Sequence, residues 1–540
     1  MVWKSKVWLI LFVVCVYNGL AQNRYAIYLK DKNNTSFSAS NPIQFLSQRA
    51  IDRRLKHDVL VTEQDFPVNS NYKQAIANTG AKVLFTSRWL NVIIAEATLT
   101  QITEINNLSF VQQSILVAPG LQPTQPDVSN GGIKLNMRIK SGTATQNQLN
   151  MLGIPQMHSS SYKGNGVLIA ILDSGFPGVN TLSPFAHIQA KLVDQYNFVN
   201  IDDDAFVNDS HGTEVLSIIA ALKGDEFVGA APEASFCLYV TEHVPDEYRI
   251  EEFQWLCAAE RADSTGADIL NASLGYNTFD DASMDYVKSQ LDGQTTIVTK
   301  AAAIASSKGI AVVVSAGNEG NNSWQTITPP ADAEDIFAVG SVTATGVKSS
   351  FSSFGPTADN RIKPDLVAMG SSTAAIGTNG NVRFVSGTSE ATPLISGLLA
   401  GLIQQFPEKK VSELREVILQ TSSQAAEPDN SLGYGIPNYE RIVNYINFPV
   451  GVEEINHPYI FFPNPLNQKL LLIKEKNNLH FSLEAIEVVD AQGKNIKTWK
   501  PLLTDKVIQY EIDLNDLQKG NYLLKVKTQS SYFTHKIIIP

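Results

Sequence analysis

The sequence feature that most constrains the fold is a continuous apolar run that ends in a carboxylate. The run Val167 to Leu172 is followed directly by Asp173, Ser174 and Gly175. Such a run is typical of a strand that is buried on both faces of a parallel sheet. A second run, Ile310 to Val314, precedes a polar, Gly-rich turn. We therefore expect an α/β domain with a doubly wound parallel sheet, whose carboxyl edge carries the functional residues.

Polar residues stand where these strands end and where two helices are expected to begin. Asp173 and Asn318 follow the two strands, and His211 and Ser389 each precede an apolar helical stretch. Pro393 is expected in the first turn after Ser389, where its missing N–H costs no hydrogen bond. Each residue taken alone is more simply a cap or a turn residue. Together they supply an orienting carboxylate, a general base, an oxyanion donor and a nucleophile, the set that serine catalysis requires.

The segments around these residues resemble those of the subtilisin-like serine proteases over residues 154–446. The shared segments are ILDSG around Asp173, HGTEV from His211, NASLG over 271–275, SAGNEG around Asn318 and GTSEATP around Ser389. The resemblance implies a secreted endopeptidase that uses no cofactor and acts on proteins or peptides. It also implies that two backbone segments pair with an extended substrate and wall its side-chain pocket. These segments are Ser273, Leu274 and Gly275, and Ser315, Ala316 and Gly317.

Two residues depart from the pattern of this family. Glu214 stands where a second His is usual, and Glu390 stands where Met usually follows the nucleophile. An ionised Glu390 that faces the site would oppose a developing oxyanion and favour a charged His211. The alternative is that Glu390 points into solvent or pairs with a neighbour. These departures keep open a second function, a catalytically weak, protease-like adhesin or binding protein.

The beginning of the chain predicts export. Met1 to Ala21 contains two lysines, then the apolar stretch Val7 to Val16, then small residues, as a signal peptide does. The apolar stretch is too short to span a membrane, and we expect no transmembrane segment in the mature chain. The net charge of −11 and the lack of a basic cluster exclude nucleic acid as an expected partner. We expect a monomer that is secreted or held at the cell surface.

Between the signal peptide and the catalytic segments, residues 22–118 alternate strand-like stretches with helix-like ones, an α+β pattern. The strand-like stretches are 24–30, 82–85 and 91–97, and the helix-like ones are 42–56, 70–79 and 100–106. In position and pattern this region resembles the propeptide of subtilisin-like proteases, and the alternative is an independent accessory domain. Residues 119–142 are rich in Gly, Pro, Asn, Gln and Ser, which indicates a cleavable linker. The peptidase domain is then expected over 143–447.

Residues 459–540 contain short alternating strands and predict a small β-sandwich. The predicted strands are 469–473, 483–490, 507–512, 521–527 and 532–539. The region resembles the C-terminal sorting domains of the type IX secretion system in three segments: PNP over 463–465, VVDAQGK over 488–494 and LQKGNY over 517–522. The resemblance implies passage through the periplasm and across the outer membrane of a Gram-negative bacterium, with the secretion machinery as a partner. The alternative is a module that binds carbohydrate or substrate.

The two cysteines of the mature chain and one acidic run each have two alternative interpretations. Cys237 and Cys257 are expected in a strand and the helix after it, where they either form a disulfide or remain two buried thiols. No Cys/His grouping has zinc spacing, so no metal ligand is predicted. The acidic run Asp202 to Asp204, with Asp209, is either a structural calcium site or a solvated loop.

Overall fold

The computed structural model describes most of the chain. The described residues are 22–120, 143–207, 209–447, 459–462, 470–475, 483–490, 494–500, 509–528 and 532–539. The predicted signal peptide and nearly all of the predicted linker lie outside them, as does the PNP segment at 463–465. The chain forms two compact units, Met1–Tyr439 and Glu440–Pro540.

The N-terminal domain has a four-stranded antiparallel sheet in the order β2-β3-β1-β4. Its elements are β1 (Asn23–Leu29), α1 (Gln48–Lys56), α2 (Ser70–Asn78), β2 (Lys82–Ser87), β3 (Val92–Ala97), α3 (Leu99–Asn106) and β4 (Val111–Ala118). Alternate residues of β3 enter different cores. Ile93 and Ala95 pack with the helices of this domain, whereas Val92 and Ile94 join the core of the following domain. The α+β prediction agrees with this arrangement.

The central domain contains a seven-stranded parallel sheet in the order β13-β12-β11-β10-β5-β9-β6. Its strands are β5 (Leu168–Asp173), β6 (Leu192–Asn197), β9 (Ser235–Val240), β10 (Ile269–Ala272), β11 (Ala311–Ser315), β12 (Phe337–Val342) and β13 (Leu366–Met369). Two small hairpins are β7 (Leu222–Lys223) with β8 (Phe227–Val228), and β14 (Thr373–Ile376) with β15 (Val382–Val385). The order reverses around β5, so a crevice opens at its carboxyl end.

Helices cover both faces of this sheet. The helices of this part of the chain are α4 (Gln146–Met151), α5 (Ile154–Ser159), α6 (His211–Ala220), α7 (Ile250–Thr265), α8 (Ile297–Ser307), α9 (Thr388–Gln405) and α10 (Val411–Thr421). A further helix, α11 (Tyr439–Asn447), begins at the boundary between the two compact units. Leu168, Ala170 and Leu172 of β5 face the core that includes α7 and α8. The intervening Ile169 and Ile171 point to the opposite face, on which α6 and α9 pack. This burial on both faces explains the unbroken apolar run and confirms the predicted fold class.

The C-terminal unit contains two antiparallel sheets, with orders β16-β17-β20 and β19-β18-β21-β22. The strands are β16 (Tyr459–Phe462), β17 (Leu470–Glu475), β18 (Leu483–Val489), β19 (Asn495–Trp499), β20 (Gln509–Asp513), β21 (Gly520–Thr528) and β22 (Tyr532–Ile539). Ile512 of one sheet packs with Ile486, Val526 and Ile537 of the other. A shared core between two sheets is a β-sandwich, as predicted. Within the described residues, no helix is long and apolar enough to span a bilayer.

Candidate active site

Asp173 and His211 meet at the carboxyl edge of the sheet. Asp173 is the last residue of β5 and is fully buried, and His211 is the first residue of α6. The distance from His211 Nδ1 to Asp173 Oδ1 is 2.8 Å. The same oxygen accepts the backbone N–H of Ser174 at 2.8 Å, which fixes the carboxylate. The pair therefore has the geometry of a carboxylate that orients a histidine base.

Gly212 is required for this approach of α6 to β5. A Cβ on Gly212 would lie 2.4 Å from the carbonyl oxygen of Gly175 and 2.9 Å from Cβ of Asp173. Any larger residue would push the helix, and His211 with it, away from the strand end. The glycine of the HGTEV segment thus sets the distance between the base and the carboxylate.

Ser389 occupies the first turn of α9, after the N-cap residue Gly387. The residue is 8% exposed, and its hydroxyl donates to the carbonyl oxygen of Ser273 at 3.2 Å. Among the hydrogen bonds of the described residues, none joins Ser389 Oγ to His211. Hydrogen bonds between a nucleophile and its base are often absent before substrate binds.

Pro393 has a different role from the one expected. It is the sixth residue of α9, so its missing N–H would otherwise have bonded to the carbonyl oxygen of Ser389. The hydroxyl of Ser273 donates to that oxygen at 2.9 Å instead. The first-turn expectation was wrong, and the proline allows the start of α9 to be held by the segment Ser273 to Gly275.

Asn318 has one end of its amide fixed. Its Oδ1 accepts from the backbone N–H of Thr388 at 2.9 Å and from the Thr388 hydroxyl at 3.0 Å. Its Nδ2 and the backbone N of Ser389 border the space beside Gly387, at 3.5 Å and 3.6 Å from the position of a Cβ there. The N–H of Ser389, in the first turn, has no acceptor within the helix. Two donor nitrogens therefore border one space beside Ser389.

Glu390 borders the same space and is buried, at 4% exposure. Its Oε2 has no hydrogen-bond partner among the described residues. Burial raises the pKa of Glu390 to about 7, although the charge of His211 opposes the rise. The solvent-facing alternative for this side chain is therefore wrong. An unpartnered carboxylate lies beside the donors instead.

Glu214 differs from Glu390 because it forms an ion pair with an arginine. It lies in the first turn of α6, and its Oε1 accepts from Nη1 of Arg383 on β15 at 2.8 Å. The pKa of Glu214 is raised by burial, and the positive charges of Arg383 and His211 limit the rise. For His211, burial alone would lower the pKa, but Asp173, then Glu390 and Glu214, raise it to about 10.

The two predicted substrate segments flank Thr328. A Cβ on Gly275 would lie 2.1 Å from Thr328 Oγ1, and one on Gly317 would lie 2.7 Å from the same atom. Ala316 already bonds through its N–H to Val339 and through its carbonyl to Thr328. Gly317 also accepts from Ser353. The second segment thus forms a wall, and no hydrogen bond of the described residues uses the backbone of Gly275.

The N-terminal domain is attached to the central domain by buried charges. Asp263 of α7 pairs with Arg53, Arg54 and Arg88 of the N-terminal domain. Burial would raise the pKa of Asp263, but the three arginines hold it below its usual range. Glu260 of α7 accepts the backbone N–H groups of residues 88 and 89 at 2.9 Å and 3.0 Å. Because breaking a buried pair is costly, these contacts specify how the domain docks.

The structure decides between the two alternatives for the cysteines but not between those for the acidic run. Cys237 and Cys257 are both free and buried, so they are two thiols and no disulfide joins them. Asp202, Asp203 and Asp204 are exposed, and Asp209 accepts from Ser174 and from the backbone of His211. Calcium binding by this run remains a prediction.

The structure joins two of the four predicted catalytic residues, Asp173 and His211, and bonds Asn318 to Thr388, the neighbour of Ser389. It adds two residues that sequence reasoning missed, because Thr388 orients Asn318 and Arg383 neutralises Glu214. Ser273, which was predicted for its backbone, also acts through its hydroxyl. Thr388 stands within the GTSEATP segment and could have been found there. Nothing near Arg383 in the sequence indicates its partner, 169 residues away.

Comparison with known proteins agrees with this geometry. Residues 164–435 match the Subtilase family, residues 24–130 match the Peptidase S8 propeptide domain of Bacteroidota, and residues 460–540 match the Secretion system C-terminal sorting domain. Subtilisin NAT of Bacillus subtilis subsp. natto is 31% identical over 291 residues, which are 53% of this chain and 68% of that protein. Subtilisin E of Bacillus subtilis (strain 168) gives the same identity and coverage.

A solved structure shows the same fold. The epidermin leader peptide processing serine protease of Staphylococcus aureus has a TM-score of 0.54 and 18% identity, covering 79% of this chain and 99% of its own. The architecture and site thus define a serine protease with a parallel-sheet catalytic domain. The chain belongs to the subtilase family, as a subtilisin-like serine endopeptidase with a propeptide and a type IX sorting domain. These domains indicate a secreted or cell-surface protein of a Gram-negative bacterium.

Proposed function

We propose that Ser389 is the nucleophile, His211 the general base and Asp173 the orienting carboxylate of this protease. The observation that carries the assignment is the 2.8 Å bond from His211 Nδ1 to the buried Asp173. This bond leaves Nε2 of His211 as the atom that accepts a proton. When substrate binds, the hydroxyl of Ser389 leaves the carbonyl of Ser273 and turns to His211. Oγ then attacks the peptide carbon, and His211 passes the proton to the leaving amine, which yields an acyl-enzyme.

Asn318 Nδ2 and the backbone N–H of Ser389 act as donors to the oxyanion of the tetrahedral intermediate. Their support is that both border the space beside Gly387 while Thr388 holds the other end of the Asn318 amide. A preorganised donor costs no reorganisation during the reaction, and loss of one typically lowers the rate by about a hundredfold to a thousandfold. The extended substrate pairs with Gly275, whose backbone forms no hydrogen bond to the described residues, and its side chain enters beside Thr328.

The proenzyme is expected to mature by its own activity after export. The N-terminal domain, docked through Asp263, inhibits the protease until the chain is cut within residues 119–150. The substrates are extracellular proteins, and the type IX machinery is the partner that exports the chain. The enzyme is proposed to act as a monomer, as expected from the sequence.

The test compares the secreted protein with its Ser389→Ala variant. The parent should clear casein and react with a fluorophosphonate probe, and the variant should do neither while remaining folded by circular dichroism. The variant should also accumulate with residues 22–118 attached. An Asn318→Ala variant should lose about tenfold to a thousandfold in kcat with little change in KM. Casein hydrolysis by Ser389→Ala would refute the assignment.

A further inference from the structure

Three carboxylates that the proposed mechanism does not use lie together after the end of β9. Glu242, Glu247 and Glu251 each offer one oxygen, and these oxygens lie within 4.8 Å of one another. In the part of the chain that the structure describes, this is the one group of at least three acidic, His or Cys side chains close enough to share an ion. Glu242 and Glu251 are buried, and Glu247 is partly exposed.

Glu251 contains an oxygen that lacks a partner. The residue is 1% exposed, and its Oε1 accepts the backbone N–H of His243 at 2.6 Å. Its Oε2 is buried and has no hydrogen-bond partner among the described residues. A buried acceptor without a partner is costly, so it indicates a ligand that completes the site. The adjacent Glu252 differs, because both of its oxygens accept hydrogen bonds, from Tyr286 and from the backbone of Val298.

The cluster also lacks a neutralising cation. Within the described ranges, none of the three carboxylates forms an ion pair with a Lys, Arg or His side chain. Ionised carboxylates at this spacing repel one another, and a divalent cation bound between them would remove that repulsion.

We propose that Glu242, Glu247 and Glu251 bind a hard divalent cation, with Ca²⁺ as the natural occupant. A donor set made only of carboxylate oxygens suits Ca²⁺ or Mg²⁺ and does not suit Zn²⁺, which prefers nitrogen and sulfur. Calcium ligands lie about 2.3–2.6 Å from the ion, so two oxygens of one site are at most about 5 Å apart. The observed spacing of 4.8 Å or less fits that limit. Ca²⁺ is favoured over Mg²⁺ because the irregular connection between β9 and α7 supplies the ligands, and Mg²⁺ demands near-octahedral geometry.

The site would link two parts of the active centre. The backbone N–H of Thr241, adjacent to Glu242, donates to the carbonyl of Asp173 at 2.9 Å. The hydroxyl of Tyr276, which follows the segment Ser273 to Gly275, donates to Glu242 Oε1 at 2.6 Å. A cation at this position therefore fixes the connection between β9 and α7 against both the catalytic strand end and the substrate segment. The ion would order the substrate side of the cleft without touching the catalytic residues.

The test measures calcium binding in the full chain. Ser389→Ala serves as the parent so that the protein stays uncleaved and the readout does not depend on activity. Calcium chloride is titrated calorimetrically into metal-stripped parent, Glu251→Gln and Glu104→Gln proteins. Glu104→Gln is the matched control, because it removes one exposed carboxylate from α3, outside both acidic groups. We expect Glu251→Gln to lose a Ca²⁺ site that the parent and Glu104→Gln keep, or to bind at that site at least tenfold more weakly.

A second readout keeps the proposal falsifiable if Glu251→Gln folds poorly. Glu247→Gln changes the partly exposed ligand, and calcium should raise the Tm of the parent by several degrees more than that of this variant. Equal binding by the parent and the two Glu variants would overturn the proposal. So would the absence of any binding up to about 10 mM calcium, beyond the range of extracellular calcium modules. These outcomes do not depend on whether Ser389 is the nucleophile.

Discussion

Replacing Glu390 by Gln is expected to move the acidic limb of kcat/KM to lower pH by about one unit. Proteolysis needs His211 neutral, and an ionised Glu390 stabilises the imidazolium and so raises the pKa of the base. The pKa of Glu390 is about 7 and that of His211 is higher, so Glu390 is ionised where His211 titrates. Removing the negative charge therefore leaves His211 neutral, and competent as a base, at lower pH.

The size of this shift follows from the ranking of the charges around His211. An opposite charge within about 4–6 Å typically moves a pKa by one to three units. Asp173 is hydrogen-bonded to His211 and exerts a larger effect than Glu390. We therefore assign Glu390 the low end of the range, about one unit or about 1.4 kcal/mol. On the acidic limb, the Gln variant should be about tenfold faster than the parent.

A second effect should appear above the acidic limb. Oε2 of Glu390 borders the space beside Gly387 that the donors Asn318 Nδ2 and Ser389 N also border. A negative charge there opposes the oxyanion that forms in the transition state. The Gln variant should therefore also have a higher plateau kcat, while a purely structural role of Glu390 would change stability and leave the limb in place.

The assay is a pair of pH profiles on one peptide substrate, at low and high ionic strength. Glu226→Gln, at an exposed surface position, is the matched loss of one negative charge, and its profile should match the parent. Because Glu390 is 4% exposed, salt should leave the difference between parent and Glu390→Gln nearly intact. Superimposable profiles of these two proteins would refute the reasoning.

Two further predictions concern Ser273 and Asp263. Ser273→Ala removes the hydroxyl that donates to the carbonyl oxygen of Ser389, and Pro393 has no N–H to replace it. We therefore expect kcat to fall and the free energy of unfolding to drop by about 1–3 kcal/mol. Unchanged kcat and Tm would contradict this. Asp263→Asn should destabilise the uncleaved proenzyme by about 3 kcal/mol but hardly affect the mature enzyme, because Arg53, Arg54 and Arg88 leave with the propeptide. The free energy of unfolding is measured in urea for both forms, and an equal loss in the two would contradict this. Since the pKa of Asp263 is lowered in the folded state, its stabilisation is complete above the unfolded value of 3.8 and is lost as pH falls through the folded value.

The sequence predicted the elements whose residues are buried on both faces. The runs that became β5 and β11 are apolar throughout, because helices cover each side of the sheet. The strand β4 was missed, since it lies at the edge of its sheet and most of its residues are exposed or partly exposed, which removes the apolar pattern. The strand β19 was missed for the same reason, with no buried residue to indicate it.

The four proposed catalytic residues can be picked out in the sequence because each lies in a short local segment at a strand or helix end. Their supporting contacts were not, since they join residues far apart in the chain. Glu214 meets Arg383 across 169 positions, and Ser273 meets Ser389 across 116. Such pairs depend on how α6, α9 and the small hairpin β14-β15 pack, and no periodicity in the sequence encodes that packing.

The two acidic departures from the family are therefore unequal in their consequences. Both lie in the first turn of a helix that carries a catalytic residue, where the positive end of the helix dipole favours a carboxylate. Glu214 is paired with Arg383, and the positive charge of Arg383 offsets much of the effect of Glu214 on the pKa of His211. Glu390 has an unpartnered oxygen and no ion pair within the described residues, so its charge acts on the active centre alone. The pH dependence of this protease should accordingly follow Glu390, with Glu214 contributing chiefly to the attachment of α6 to β15.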